Sequence, residues 1–141
     1  IHMPGIIDHD FEKHLTHEPC KLIVMSLASR ERLQQFQKEH EAWELPRLDH
    51  TYSCDYMLEY THKGASKGTS VAALCERFHI PLSDSIAVGD EENDMSMIET
   101  AGIGVAVANA RENVKAVADY VTERDNDHDA ISEVIERFIL N

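Results

Sequence analysis

The residues richest in chemistry are a lysine, Lys67, and a later acidic run, Asp90-Glu91-Glu92-Asn93-Asp94. Carboxylates packed this densely repel any anion unless a cation intervenes, and hard oxygen donors suit magnesium rather than zinc. Beside such an ion the Lys67 ammonium is a point charge able to neutralise a phosphate oxygen or restrain a carboxylate. Asn93 can donate to a phosphate without adding charge. These types suit phosphoryl transfer, which depends mostly on positioning and electrostatics. Singly, Asp94 is a helix cap and Lys67 a solvated surface lysine; the joint pattern K-G…G-D-x-x-N-D is what points to a site.

For these groups to act together, the chain must bring them to one edge. Ser85 to Gly89 (SIAVG) is a buried strand that delivers Asp90 to its carboxyl end, where ligands bind in a parallel sheet. Val71, Leu74, Cys75 and Phe78 fall at helical spacing and predict an amphipathic helix over Thr69 to Phe78, opening at Lys67. A helix of about 12 residues rises roughly 18 Å and a five-residue strand spans roughly 17 Å, so Lys67 and Asp90 are expected to meet in space. Downstream, the pattern predicts a short helix over Asn93 to Thr100 capped by Gly102, a strand over Gly104 to Ala108 and a helix over Arg111 to Ala118. A strand over Asp119 to Thr122 and a last helix carrying Ile131, Val134, Ile135, Phe138 and Ile139 complete it. Upstream, Lys21 to Leu27 is a strand, and Arg30 to Trp43 a helix with Leu33, Phe36 and Trp43 near helical spacing. Tyr56 to Thr61 is a further strand, with Pro46, Asp49 and Ser53 as punctuation between. Alternating helix and strand implies an α/β fold with a parallel sheet and right-handed crossovers. A boundary is expected between residues 1–62 and 63–141.

The 141 residues carry 43% apolar and 28% charged side chains, which excludes a disordered tail or fibrous repeat. A net charge of −13 is the wrong sign for binding nucleic acid through its phosphates. No run approaches the roughly 20 apolar residues that span a bilayer, and no signal peptide is evident, so a cytoplasmic protein without membrane contact is expected. Cys20, Cys54 and Cys75 are odd in number and widely spaced, which predicts reduced thiols, with Cys75 as core packing.

The run Lys67-Gly68-Thr69, then Val88-Gly89-Asp90-Glu91-Glu92-Asn93-Asp94-Met95, Met97-Ile98, Ala101 to Val107 and Asn109-Ala110, resembles the carboxyl-terminal half of haloacid-dehalogenase-superfamily phosphatases of the Cof type. The resemblance covers residues 67 to 141. It implies a Rossmann-like parallel-sheet half-domain, Lys67 as the third-motif lysine, and Asp90 as a catalytic magnesium ligand. It makes Asp94 the supporting carboxylate at the Mg2+ site and Asn93 a phosphate or substrate contact. Residues from about 5 to 61 are similar to part of the family's α/β cap domain. The implied substrate is a small phosphorylated metabolite, a sugar phosphate or phosphorylated cofactor, attacked through an aspartyl-phosphate.

The family's nucleophile motif, D-x-D-G-T, does not occur in this sequence. Asp8-His9-Asp10 is the nearest substitute, but only Ile6 and Ile7 precede it, and Phe11-Glu12 stand in place of Gly-Thr; a solvated loop is the better reading. The chain is therefore expected to be nearly inactive alone. In the family's sheet order the strand ending at Asp90 lies beside the first core strand, so an open edge is expected, paired by an amino-terminal segment or a second copy. Two other classes remain: a phosphorylation domain like that of P-type ion pumps, which share G-D-x-x-N-D, and a non-catalytic interaction module. Gly64-Ala-Ser-Lys-Gly-Thr is no P-loop, its Lys-Gly order and spacing being wrong. His14-x-x-His17 lacks the further ligands of a tetrahedral metal site and is assigned to a solvated face.

Overall fold

Three short strands and one long helix account for the first part of the chain. In the computed structural model, which describes residues 9–17 and 19–140, Lys21–Met25 (β1), Leu48–Cys54 (β2) and Met57–His62 (β3) form a sheet in the order β1-β3-β2. Both pairings are antiparallel, with Ile23 and Thr51 each opposite Glu59. One face packs on Arg30–Glu44 (α1), where Leu33, Tyr52, Leu58 and Tyr60 are buried, with Val24, Phe36 and Leu48 around them.

One expectation is corrected here. The segment assigned to loop punctuation contains β2, and the sheet of this first part, expected as part of an α/β cap, is antiparallel. That strand places Asp49, Thr51 and Ser53 on one face and Leu48, His50 and Tyr52 on the other, so a histidine and a tyrosine blur the apolar alternation that marks a half-buried strand. Hydrogen bonds add to the burial of Leu48 and Tyr52: Gln37 on α1 bonds the His50 ring at 2.7 Å and accepts from the Tyr52 hydroxyl at 3.1 Å. Trp43, expected on the inner stripe of α1, is 58% exposed, with the Arg47 guanidinium 5.3 Å from its ring.

Between the sheets the chain turns at Gly64, whose φ of +84° lies where side chains are strained. Ser66 then caps Lys67–Phe78 (α2): its hydroxyl accepts from the Thr69 amide at 3.1 Å while the Thr69 hydroxyl accepts from the Ser66 amide at 2.9 Å. There follow Ile86–Gly89 (β4), a 3-10 turn at Glu92–Asp94, Met95–Thr100 (α3), Ile103–Ala106 (β5), Glu112–Lys115 (α4), Tyr120–Val121 (β6) and Ala130–Phe138 (α5). The strands pair in parallel in the order β4-β5-β6. This is the expected α/β half-sheet with its helices. Ile98, Ala106, Val107, Ala110, Val114 and Ala130 form its core.

The helix expected over 111–118 is one turn, and the apolar stripe of α2 is only partly covered. Cys75 is buried, but Leu74 is 54% and Phe78 63% exposed. The cause is that α2 packs on α3: a Cβ on Gly68 would stand 2.3 Å from the Ser96 carbonyl oxygen, so only glycine permits the approach. Since β4 is an outer strand, no described strand lies beyond it for the rest of the stripe to cover. Among the described residues no helix is long and apolar enough to cross a membrane.

Candidate active site

β4 ends at Gly89 and hands the chain to Asp90, and the following 3-10 turn folds Asp94 back beneath the strand end. A Cβ on Gly89 would lie 2.4 Å from Asp94 Cβ, so the absent side chain makes room for this carboxylate. Asp94 is 5% exposed, and its Oδ2 accepts from the amides of Asp90 at 3.0 Å and Glu91 at 3.2 Å. Oδ1 accepts from Lys67 Nζ, which reaches it from the first residue of α2. Burial alone would raise the Asp94 carboxyl, but Lys67 and the two amides outweigh burial and hold it below the ordinary aspartate range.

Asp90 has the opposite environment. Burial, then the charges of Asp94 and Glu91, push its carboxyl above the usual value, with Lys67 opposing them. A half-buried carboxylate among like charges is stabilised by an approaching cation. Lys67 and Asp90 thus share one rim of the sheet, as their spacing predicts, but Asp94 joins them: the direct partner of the Lys67 ammonium is Asp94. Among the described residues no three His, Cys, Asp or Glu side chains gather into a metal cage. Asp90 could hold a cation as a single carboxylate ligand.

Lys67 and Asn93 line a cleft of about 490 Å³ between the polar face of the antiparallel sheet and the amino-terminal end of α2. Lys21, Thr51 and Glu59 face it from the sheet, with the Lys21 ammonium 2.6 Å from Glu59 Oε2. Charged bonds also tie the two sheets together. Arg30 donates to Asp55 at 3.0 Å and to both Glu92 carboxylate oxygens at 2.7 and 2.9 Å. Arg111 donates to Glu91 at 2.5 Å and to Asp55 at 2.8 Å.

These partners are what the sequence reading missed. It took Glu91 and Glu92 only as members of an acidic run, and gave Arg30, Arg111, Asp55 and Ser96 no role. No local signal identifies them, since Arg30 and Glu92 are 62 positions apart. Of Asp8-His9-Asp10, Asp8 lies outside the described residues. His17 is exposed and its ring bonds Thr16 at 2.9 Å. The three cysteines are unpaired, Cys75 buried as expected.

A parallel α/β sheet with an acidic loop at the end of one strand, met by the lysine that opens a neighbouring helix, defines a class of phosphoryl-handling folds. The model of the haloacid dehalogenase-like hydrolases matches residues 3–135, and the chain belongs to that family. It is 40% identical over 99 residues to the phosphatase YwpJ of Bacillus subtilis, covering 70% of this chain and 34% of that protein. A solved haloacid dehalogenase-like hydrolase from B. subtilis superposes with a TM-score of 0.78 at 34% identity, over 92% of this chain and 45% of that one. A structure described as a HAD subclass IIB sugar phosphatase superposes at 0.75 with 29% identity, over 91% of this chain and 46% of the other. The chain therefore spans less than half the length of each.

Proposed function

We propose that this chain supplies the metal-holding and charge-neutralising half of a phosphatase site that hydrolyses small phosphomonoesters, with sugar phosphates the favoured class. The observation that carries this is the Lys67–Asp94–Asp90 arrangement at the end of β4. The phosphatase names of the similar proteins support it, as does the sugar phosphatase among the similar structures.

Asp90 is the magnesium ligand, its carboxyl pushed up by burial and by the neighbouring charges of Asp94 and Glu91. Asp94, with both oxygens engaged, fixes the Lys67 ammonium and the backbone of Asp90 rather than reaching the ion as an outer donor. Magnesium at this position would offset the charge of the phosphoryl oxygens. Lys67 neutralises a further oxygen, and Asn93, beside it in the cleft, donates to the phosphate or to the leaving group. The attacking aspartate, which would form an aspartyl-phosphate, comes from a D-x-D-G-T segment outside this sequence. A strand carrying it would pair with the open edge of β4, so the isolated chain has little activity. On this reading residues 1–62 belong to a cap that screens substrates and 63–141 to the core. Free thiols at Cys20, Cys54 and Cys75 agree with a reducing, cytosolic setting.

The test is magnesium binding by the chain alone. Millimolar Mg2+ is expected to raise its melting temperature, and Asp90→Asn to abolish the rise. An equal shift in the variant removes the metal role of Asp90. Magnesium-dependent turnover of p-nitrophenyl phosphate by the pure chain, lost in Asp90→Asn, contradicts the need for an outside nucleophile.

A further inference from the structure

One exposed carboxylate connects the two sheets to the acidic loop. Asp55 lies in the turn between β2 and β3, and its Oδ1 accepts from Arg30 Nη1 at 3.0 Å and from Arg111 Nη2 at 2.8 Å. Each arginine also holds a second carboxylate. Arg30 places its guanidinium 4.1 Å from the Tyr52 ring centre, on its own sheet, and gives Nη2 to Glu92 across the gap. Arg111 gives Nε to Glu91, and its backbone amide donates to the Asp90 carbonyl at 3.1 Å. A pull on the β2–β3 turn therefore reaches Asp90 through one residue.

We infer that Asp55 is a positioning residue: beside the direct Arg30–Glu92 pair, its carboxylate latches the antiparallel sheet onto the Asp90–Asp94 loop through Arg111 and sets the width of the cleft over Lys67. The physics gives the latch a sharp response. With Asp55 charged, two guanidiniums share one anion; with it neutralised, Arg30 keeps Glu92 and Arg111 keeps Glu91, but the bond from Arg111 to the sheet is lost and the anion that offsets the mutual repulsion of the two guanidiniums is removed. Asp55 itself is 65% exposed, which makes the latch sensitive to salt. None of this depends on the chain being a phosphatase.

The test uses the whole chain with Cys20→Ser and Cys54→Ser, spin-labelled through Lys38→Cys on α1 and Ser132→Cys on α5, both exposed positions. The parent should give one narrow distance. Asp55→Asn should give a broader, longer distribution, and Asp55→Glu should restore the narrow one. Amide exchange at Asp90, Glu91 and Arg111 should accelerate about tenfold or more in Asp55→Asn, as the loop opens locally. A residue that merely shapes its own turn would change exchange only around positions 53–57. If Asp55→Asn fails to fold, the parent in about 0.5 M sodium chloride, where screening shortens to about 4 Å, should lengthen in the same direction. A distance that neither neutralisation nor salt changes, or unaltered exchange in the acidic loop, overturns the inference.

Discussion

Two aspartates four positions apart, on one turn, are set to opposite tasks by their partners. Asp94 accepts two amides and an ammonium and is held charged; Asp90 stands among carboxylates and is pushed toward taking up a proton or a cation. Substitution should separate the contributions to stability. Asp94→Asn keeps an oxygen for the amides of Asp90 and Glu91 and loses the charge facing Lys67, so a cost of about 1 kcal/mol is expected. Asp94→Ala strands both amides and the ammonium, and should cost about 3 kcal/mol. Urea denaturation of the chain measures both, and an equal cost for the two variants would show that the amides contribute nothing. Lys67, Asp90, Asn93 and Asp94 were legible in the sequence because type and spacing coincide there. The sequence did not show which carboxylate meets Lys67, because that depends on the 3-10 turn that tucks Asp94 under Gly89.

At the scale of elements, β4, β5 and α2 were legible because apolar runs and helical periodicity mark them, while β2 was not, its polar residues being held by cross-links to α1. The short β6 and α5 are joined by one carboxylate. Glu133 accepts from the Tyr120 hydroxyl at 2.7 Å and from the amides of Glu123 and Arg124 at 2.9 and 3.0 Å. Burial works against its charge, but the amides and the hydroxyl prevail and hold it below the ordinary glutamate range. A lowered folded-state value means that its stabilising contribution is fully present above the unfolded value of about 4.3 and is lost as pH falls through the lower folded one. Glu133→Gln is therefore expected to be less stable than the parent at about pH 7, with the gap closing by about pH 3. Denaturant titrations at the two pH values test the sign; a constant gap would assign the effect to packing.

For the whole molecule, β4 is an edge strand among the described residues, and Leu74 and Phe78 of α2 leave apolar surface uncovered. The isolated chain is expected to self-associate with rising concentration, giving a light-scattering mass above its 16.0 kDa. A concentration-independent monomer would show that the edge needs no partner. The sequence by itself determined the family and the α/β sheet and singled out Lys67, Asp90, Asn93 and Asp94 as candidates, because these reside in local apolar periodicity and in short motifs. Only the tertiary structure decided that the first sheet is antiparallel, that half of the α2 stripe is exposed, and that Arg30, Asp55 and Arg111 bind the sheets to the acidic loop. Such pairings join residues as much as 62 positions apart, and a charged side chain leaves no trace in sequence of which distant countercharge it will meet.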